Sequence, residues 1–170
     1  MTPVPTKRMC TFSILSLFIL SIMAPSCSAP VNPEEQAVIA VAQKLFDGMA
    51  SKDVDALRSI LLPEGAFTSV RLSDVRVITG TRTHEEFLES IRTETEELLE
   101  RMWNPTVLIY DRVATLWTHY DFHINGEFSH CGVDAINLVK TSEGWKISSI
   151  TYTVQTEGCT DSPLGPIDGS

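Results

Sequence analysis

The stretch "YDFHINGEFSHCGVD", residues 120–134, concentrates side chains that can exchange protons near neutral pH. Its Asn125-Gly126 pair stands between two runs rich in β-branched and aromatic residues, a pattern typical of a two-residue β-hairpin turn. A tight turn at this pair would place Asp121 opposite His130 on neighbouring strands. A carboxylate in that position fixes the tautomer of the imidazole and raises its pKa. The sequence therefore predicts an Asp121–His130 acid/base pair.

The same register puts a second carboxyl group, Asp134, opposite Trp117 on the same side of the hairpin. A carboxyl group against an indole in a dry pocket has a raised pKa, because burial disfavours its ion. Such a set suits proton abstraction next to a carbonyl, dehydration or aldol-type cyclisation. The residues predicted to be catalytic are Asp121, His130 and Asp134, and those predicted to contact a ligand are Trp117, His119, Phe128 and Trp145. The alternative interpretation is that Asp121 and His130 form an ordinary surface contact near the tip of a hairpin.

The reverse side of this hairpin is also apolar. Alternation assigns to it Ala114, Leu116, Thr118, Tyr120, Phe122 and Ile124 on the first strand and Cys131, Val133, Ala135 and Val139 on the second. One side could therefore pack against helices and the other against a second subunit, which predicts a homodimer.

The pattern does not favour a metal, a cofactor or nucleic acid. His119 and His123 are four residues apart, which along a strand is about 13 Å, so they cannot share one ion. A Gly-rich phosphate loop and a nucleophile elbow are absent from the sequence. The formal net charge of -9 and the lack of a basic stripe make nucleic acid an unfavourable partner. A small organic molecule is the predicted ligand.

The elements that must position these residues change character along the chain. Apolar residues at helical spacing predict a helix over 34–52, and Asp53 can cap a second helix that ends at Leu62. Two short strands follow, and Thr83 opens a third helix as a capping box. The segment "TETEELLE" could extend that helix or form an exposed connection. From Pro105 onward the chain reads as a long antiparallel β meander, so the order of elements predicts an α+β domain.

The chain resembles the nuclear transport factor 2-like superfamily, which includes SnoaL-like polyketide cyclases, ketosteroid isomerase and scytalone dehydratase. The resemblance covers roughly residues 34–155, and the stretches "LFDGMASKDVDALRSILLPEGAF" and "INLVKTSEGWKISSITYTV" carry it. It implies N-terminal helices packed on a strongly curved antiparallel sheet, a cone-like pocket between them, and commonly a dimer. It also favours the side of the hairpin that carries Asp121 and His130 as the pocket side.

The N-terminal segment has the composition of a secretory signal. Lys7 and Arg8 precede the uncharged run "TFSILSLFILSIMA" and the small residues "PSCSAP", which predicts export to the periplasm or the extracellular space. Cleavage before Cys27 would leave a lipid-anchored cysteine and a membrane tether, whereas cleavage after Ala29 would release the chain. The predicted segments are a signal peptide over 1–29, a tether over 30–33, the domain over 34–156 and a flexible tail over 157–170.

Export also makes the two remaining cysteines informative. Cys131 and Cys159 could form a disulfide in an oxidising compartment, or Cys131 could be a buried free thiol.

Two functions remain open at this point. The first is a binding or accessory domain whose pocket holds a small molecule without turnover. The second is a cofactor-free lyase, isomerase or cyclase that uses the Asp121–His130 pair with Asp134. The chain does not match a full isomerase or dehydratase set, so the binding domain ranks first.

Overall fold

A computed structural model describes residues 32–72 and 75–167 of the chain. The predicted signal peptide, its cleavage sites and Cys27 lie outside the described residues. Within the described ranges, none of the helices is both long and apolar enough to cross a membrane.

The first two helices form where capping residues permit them. In α1 (Pro33–Ser51), the Asn32 side chain accepts a hydrogen bond from the Glu34 amide at 3.1 Å. The α2 helix (Val54–Arg58) is capped by Asp53, as predicted. It ends before the predicted Leu62, because Leu61 already begins the strand β1 (Leu61–Leu72).

The third helix, α3 (His84–Thr93), follows directly after the strand β2 (Val77–Thr83). Its predicted capping box is confirmed. Thr83 Oγ1 accepts from the Glu86 amide at 3.1 Å, and the Glu86 carboxylate accepts from the Thr83 amide at 2.8 Å. The acidic segment after Thr93 does not extend the helix, since Leu98 begins the next strand.

Four long strands complete the sheet: β3 (Leu98–Tyr110), β4 (Val113–Ile124), β5 (Glu127–Thr141) and β6 (Gly144–Val154). The strand order is β2-β1-β6-β5-β4-β3, and every neighbouring pair is antiparallel except β1 and β6, which run parallel. The predicted α+β class is therefore confirmed, with a mixed sheet in place of a purely antiparallel one.

The helices bury their apolar stripes on one face of this sheet. α1 packs against β3, β4 and β6, and α3 packs against β1 and β2. The fully buried centre of the core includes Val38, Ala42, Leu57, Leu116, Ile136, Leu138 and Ile147. We call this side of the sheet the helix face and the opposite side the outer face.

The β4–β5 hairpin begins as predicted and then departs from the predicted register. Ile124 pairs with Glu127, and His123 pairs with Phe128. The next pair shifts by one position, so that Ser129 is an extra residue on β5. This is a β-bulge, which bends the strand and changes the register on one side of it.

Beyond the bulge, each β4 residue pairs with the β5 residue one position later than predicted. The β5 side chain that shares its face therefore also changes. Phe122 pairs with His130, and Asp121 pairs with Cys131. The predicted pairing of Asp121 with His130 is therefore wrong. The predicted pairing of Trp117 with Asp134 is wrong for the same reason, because Trp117 pairs with Ala135.

The C-terminal segment is attached to the outer face at two points. Cys131 and Cys159 form a disulfide, which settles the alternative that the sequence left open. The backbone carbonyl of Gly165 accepts a hydrogen bond from Arg101 Nη1 at 2.9 Å. The flexibility of this tail stays a prediction.

Candidate functional site

A cavity of about 240 Å³ lies between the helix face of the sheet and the helices α1 and α3. Its walls are mostly apolar and include Leu45, Phe46, Met49, Phe67, Phe87, Ile91, Leu98, Phe122, Ile124 and Ile150. Its polar lining consists of Arg82, Ser90, Glu94, Glu96, Glu100, Tyr120, His130, Asp134 and Tyr152. An apolar hollow with a few convergent polar groups is the usual form of a small-molecule site.

Two carboxyl groups, from Glu100 on β3 and Asp134 on β5, are the central polar feature of this cavity. They lie within hydrogen-bonding reach of each other, and Asp134 is only 4 % exposed. Two carboxylates can only accept hydrogen bonds, so such a contact requires a proton on one of them. Among the described residues, none provides a hydrogen bond to the buried Asp134 Oδ2.

Burial sets the protonation of this pair. It raises the pKa of Asp134 to about 7 and that of Glu100 well above its usual range, because desolvation disfavours each ion. The neighbouring negative charge of Asp134 raises the pKa of Glu100 further. The pair therefore holds at least one proton near neutral pH. The sequence predicted a raised pKa for Asp134, but the cause is burial beside Glu100 and not contact with Trp117.

Tyr120 lies on the helix face, beside the carboxyl pair. Its hydroxyl donates a hydrogen bond to the Thr153 carbonyl at 2.7 Å. Burial and the charges of Glu100 and Asp134 raise the pKa of this phenol, so it stays protonated. Since its proton is already committed to Thr153, Tyr120 can accept a hydrogen bond from a ligand more readily than it can donate one.

His130 also lines the cavity, but without the aspartate that the sequence predicted for it. Its ring stacks on Phe122 with centroids 4.9 Å apart, and its Nδ1 lies 3.0 Å from Ser129 Oγ. Burial, followed by the positive charge of Arg71, lowers the pKa of His130. The imidazole is therefore neutral at neutral pH, whereas the predicted Asp121 partner would have raised its pKa.

Arg82 supplies positive charge at the helix side of the cavity. Its guanidinium lies 4.8 Å from the centroid of the Phe87 ring and donates to Ser90 Oγ at 3.3 Å. Its charge opposes the rise in the pKa of Glu100, but this effect is smaller than those of burial and of the neighbouring carboxylates Asp134 and Asp121. Two further carboxylates, Glu94 and Glu96, line the same cavity.

Asp121 lies on the outer face and is engaged there. Both of its carboxylate oxygens accept from Arg101, Nε at 2.8 Å and Nη2 at 2.7 Å. His123 Nε2 is 3.3 Å from the same carboxylate. The prediction that Asp121 faces the pocket is wrong, because the bulge leaves His130 and Asp134 on the helix face without it.

The four residues predicted to contact a ligand also lie away from this cavity. Trp117 and Phe128 are exposed, and His119 stacks on Trp103 on the outer face. Trp145 is buried near the start of β6, where its indole donates to Glu34 at 3.1 Å. A role for any of the four in ligand binding stays a prediction.

Sequence reasoning missed Glu100 and placed Tyr120 on the wrong side. Glu100 falls in the segment whose structure the sequence left undecided, so its side of a strand was not defined. The available signal was the run "LLERMW", in which a carboxylate interrupts an apolar stretch. Within the described residues, the structure brings together no group of three or more side chains suited to bind a metal ion.

Neither a protein-family model nor a curated protein matches the sequence. Solved structures do resemble the fold. An NTF2-like protein from Cytophaga hutchinsonii aligns with a TM-score of 0.60 at 14% identity, over 73% of this chain and 99% of that one. A nuclear transport factor 2-like superfamily protein from Salmonella enterica aligns with a TM-score of 0.59 at 16% identity, over 78% and 96% of the two chains.

A third similar structure carries a functional description. It is a candidate dehydratase of the NTF2-like family from Streptomyces avermitilis, with a TM-score of 0.55 at 17% identity over 70% of this chain and 94% of that one. At such identities the likeness defines the fold and not the chemistry. The chain has the nuclear transport factor 2-like fold, which confirms the fold that the sequence predicted.

Proposed function

We propose that this chain is a small-molecule-binding domain, and that its ligand occupies the cavity between α1, α3 and the helix face of the sheet. The observation that carries the proposal is the Glu100–Asp134 carboxyl pair, in which Asp134 is only 4 % exposed, at a cavity whose walls are mostly apolar. Burying a carboxyl group without a cation or a full set of donors costs free energy. A ligand that supplies the missing partner would recover part of that cost.

Blocking the cavity tests this proposal. Leu98 lines the cavity, whereas the adjacent Leu99 is exposed and does not line it. Leu98→Trp should abolish the rise in melting temperature that a binding small molecule produces, and Leu99→Trp should leave it unchanged. The unliganded melting temperature of each variant shows whether it folds. Ligand binding that survives in a folded Leu98→Trp variant would refute the assignment of the cavity.

A second candidate function is that of a cofactor-free lyase or isomerase, and the same carboxyl pair favours it. The Asp134 carboxylate, with a pKa near the working pH, can remove a proton from a carbon next to a carbonyl. The electron pair moves onto the carbonyl oxygen, to which a protonated Glu100 can donate a hydrogen bond. Return of that proton from Asp134 to another carbon of the enolate gives isomerisation. Its transfer instead to a hydroxyl on the β-carbon, which leaves as water while the enolate electron pair forms the new double bond, gives dehydration. This arrangement replaces the predicted Asp121–His130 pair.

Hydrogen exchange measures this chemistry without knowledge of the natural substrate. The protein is incubated in D₂O with cyclohexenone or a larger cyclic ketone, and loss of the α-proton signals is followed by NMR. We expect faster exchange with the wild type than with Asp134→Asn. Equal rates for the two proteins and for buffer would leave only the binding function.

We also propose that the mature chain is exported, as the N-terminal pattern predicts. The Cys131–Cys159 disulfide supports this, because such bonds persist mainly in oxidising compartments. Intact-mass measurement of the protein from the expressing cells would distinguish a lipidated Cys27 from a chain that begins after Ala29. A mass that still includes residues 1–26 would contradict export.

The outer face supports the proposal of a homodimer. Leu108, Tyr110, Val113 and Trp117 are exposed there at one end of β3 and β4. Sedimentation velocity should show a dimer for the wild type and a monomer for Trp117→Lys. Leu72→Lys, at another exposed apolar position, is the matched control. A monomeric wild type would refute the dimer.

A further inference from the structure

We propose that the natural ligand is a small, largely apolar molecule with a cationic nitrogen, and that this nitrogen binds at the Glu100–Asp134 pair. The inference rests on the proposed binding function and adds to it the charge of the ligand. Three features of the cavity support it. They are the balance of its charges, a buried oxygen without a hydrogen-bond partner, and the lack of a positive charge on the neighbouring Tyr120 and His130.

The balance of charges favours a cation. Four carboxyl groups line the cavity, from Glu94, Glu96, Glu100 and Asp134. Among the described lining residues, Arg82 is the one with a permanent positive charge. Its guanidinium lies over the Phe87 ring and donates to Ser90, so it is held by contacts other than a carboxylate. An anionic ligand would add a negative charge to a cavity that already has an excess of them.

The buried oxygen shows where a donor is missing. Asp134 is 4 % exposed, lines the cavity, and presents an Oδ2 atom to which none of the described residues donates. An ammonium group has three N–H donors and no acceptor, so it can satisfy Asp134 and Glu100 together. Hydrogen bonds between ionised partners are about twice as strong as neutral ones.

The other polar groups around the pair do not offer the missing charge. Tyr120 donates to Thr153, and a neutral His130 is not a cation at neutral pH. The aromatic and aliphatic walls suit an apolar body attached to the nitrogen.

Binding of a cation at this pair must displace a proton. The unliganded pair holds at least one proton near pH 7, and an ammonium group favours two ionised carboxylates. Protonation of Asp134 alone should therefore lower the affinity for an amine about tenfold from pH 8 to pH 6, and a proton displaced from Glu100 adds to this fall. The charged and titratable groups that also line the cavity or act on the pair are Arg82, Glu94, Glu96, Tyr120, Asp121, His130 and Tyr152. Arg71 acts on two of them, Tyr120 and His130.

The experiment compares three probes of one shape: 1-naphthylmethylamine, 1-naphthalenemethanol and 1-naphthoate. Titration calorimetry is performed at pH 7 in two buffers of different ionisation enthalpy, which measures the protons released. We expect the amine to bind about tenfold tighter than the alcohol or better, with the carboxylate weakest. We also expect proton release with the amine and none with the alcohol.

Variants connect the preference to the pair. Glu100→Gln and Asp134→Asn should each reduce the preference for the amine to within about twofold of the alcohol. Glu97→Gln makes the same chemical change at an exposed position outside the cavity lining and should preserve the preference.

The outcomes separate the inference from the function on which it rests. Alcohol binding as tight as amine binding, or amine binding without proton release, would overturn the cationic ligand and leave the binding cavity in place. An amine preference that survives in both cavity variants would also overturn it. If none of the three probes binds at millimolar concentration, both the inference and the binding function fail.

Discussion

Replacing Asp134 by Asn should stabilise the fold, and by more at high pH than at low pH. Burial raises the pKa of this carboxyl group from 3.8 to about 7, so the folded chain binds a proton that the unfolded chain releases. The contribution of Asp134 to the wild-type free energy of unfolding therefore decreases as the pH rises from about 4 to 7. An amide in the same place is neutral throughout and avoids this loss.

The magnitude follows from the width of that pH window. A rise of about three pKa units corresponds to about 4 kcal/mol, at about 1.4 kcal/mol per unit. Part of the loss has already occurred at pH 5, so the advantage of Asp134→Asn over the wild type should grow by about 2 to 3 kcal/mol between pH 5 and pH 8. Asp134 is 4 % exposed, so solvent screening reduces this figure little.

Urea denaturation at pH 5 and pH 8, followed by circular dichroism, measures this difference directly. Asp111→Asn is the matched control, since Asp111 is exposed in a turn and its left-handed φ of 52° also suits Asn. Because Asp111 is exposed, its replacement removes no buried carboxyl group, and a stability gain of that size is not expected from it. The reasoning would be refuted by an Asp134→Asn advantage that is equal at the two pH values, or by a variant less stable than the wild type at pH 8.

Three further predictions concern the scaffold of the cavity. Asp121→Asn should cost about 3 kcal/mol in urea denaturation, because it leaves the partly buried Arg101 without its carboxylate partner. Cys159→Ser should cost about 3 to 4 kcal/mol by the same measurement, since the disulfide with Cys131 closes a loop with a sequence separation of 28 residues. Gly132→Ala should lower the melting temperature and cost about 2 kcal/mol or more, because its Cβ would lie 2.1 Å from a backbone carbonyl of β6.

Each of these has a control or a contrary result. Asp121→Asn should leave probe binding in the cavity unchanged, because Asp121 lies on the outer face; loss of binding would contradict that placement. A reducing agent should destabilise the wild type but not Cys159→Ser. Gly80→Ala, whose nearest contact would be Ser69 Oγ at 3.2 Å, is the control for Gly132→Ala. Equal melting temperatures for the two alanine variants would contradict the close approach.

The local elements could be predicted because their determinants are close in sequence. The cap at Asp53, the capping box at Thr83 and the turn at Asn125-Gly126 each depend on a few neighbouring residues, and all three form. The α+β class follows from the order of such elements. The end of α2 was misplaced because Leu61 joins β6 in a parallel pair, a contact between residues far apart in the chain.

The site could not be predicted to the same degree. Asp134 and His130 were identified as candidate acid/base residues, and both line the cavity, but their predicted partner Asp121 does not. One extra residue in β5 accounts for this difference. A bulge at Ser129 leaves no clear signal in the alternation of residue types, because both faces of the hairpin are partly apolar.

The sequence by itself therefore determined the class of domain, its capped helices, its hairpin turn and the presence of titratable residues near that turn. These features follow from backbone preferences and from hydrophobic periodicity over short distances. Only the tertiary structure decided which carboxyl groups meet, because Glu100 and Asp134 belong to strands that are not neighbours in the sheet. Their contact depends on the register, the bulge and the helices that cover the cavity, and burial there raises the pKa values of the two acids.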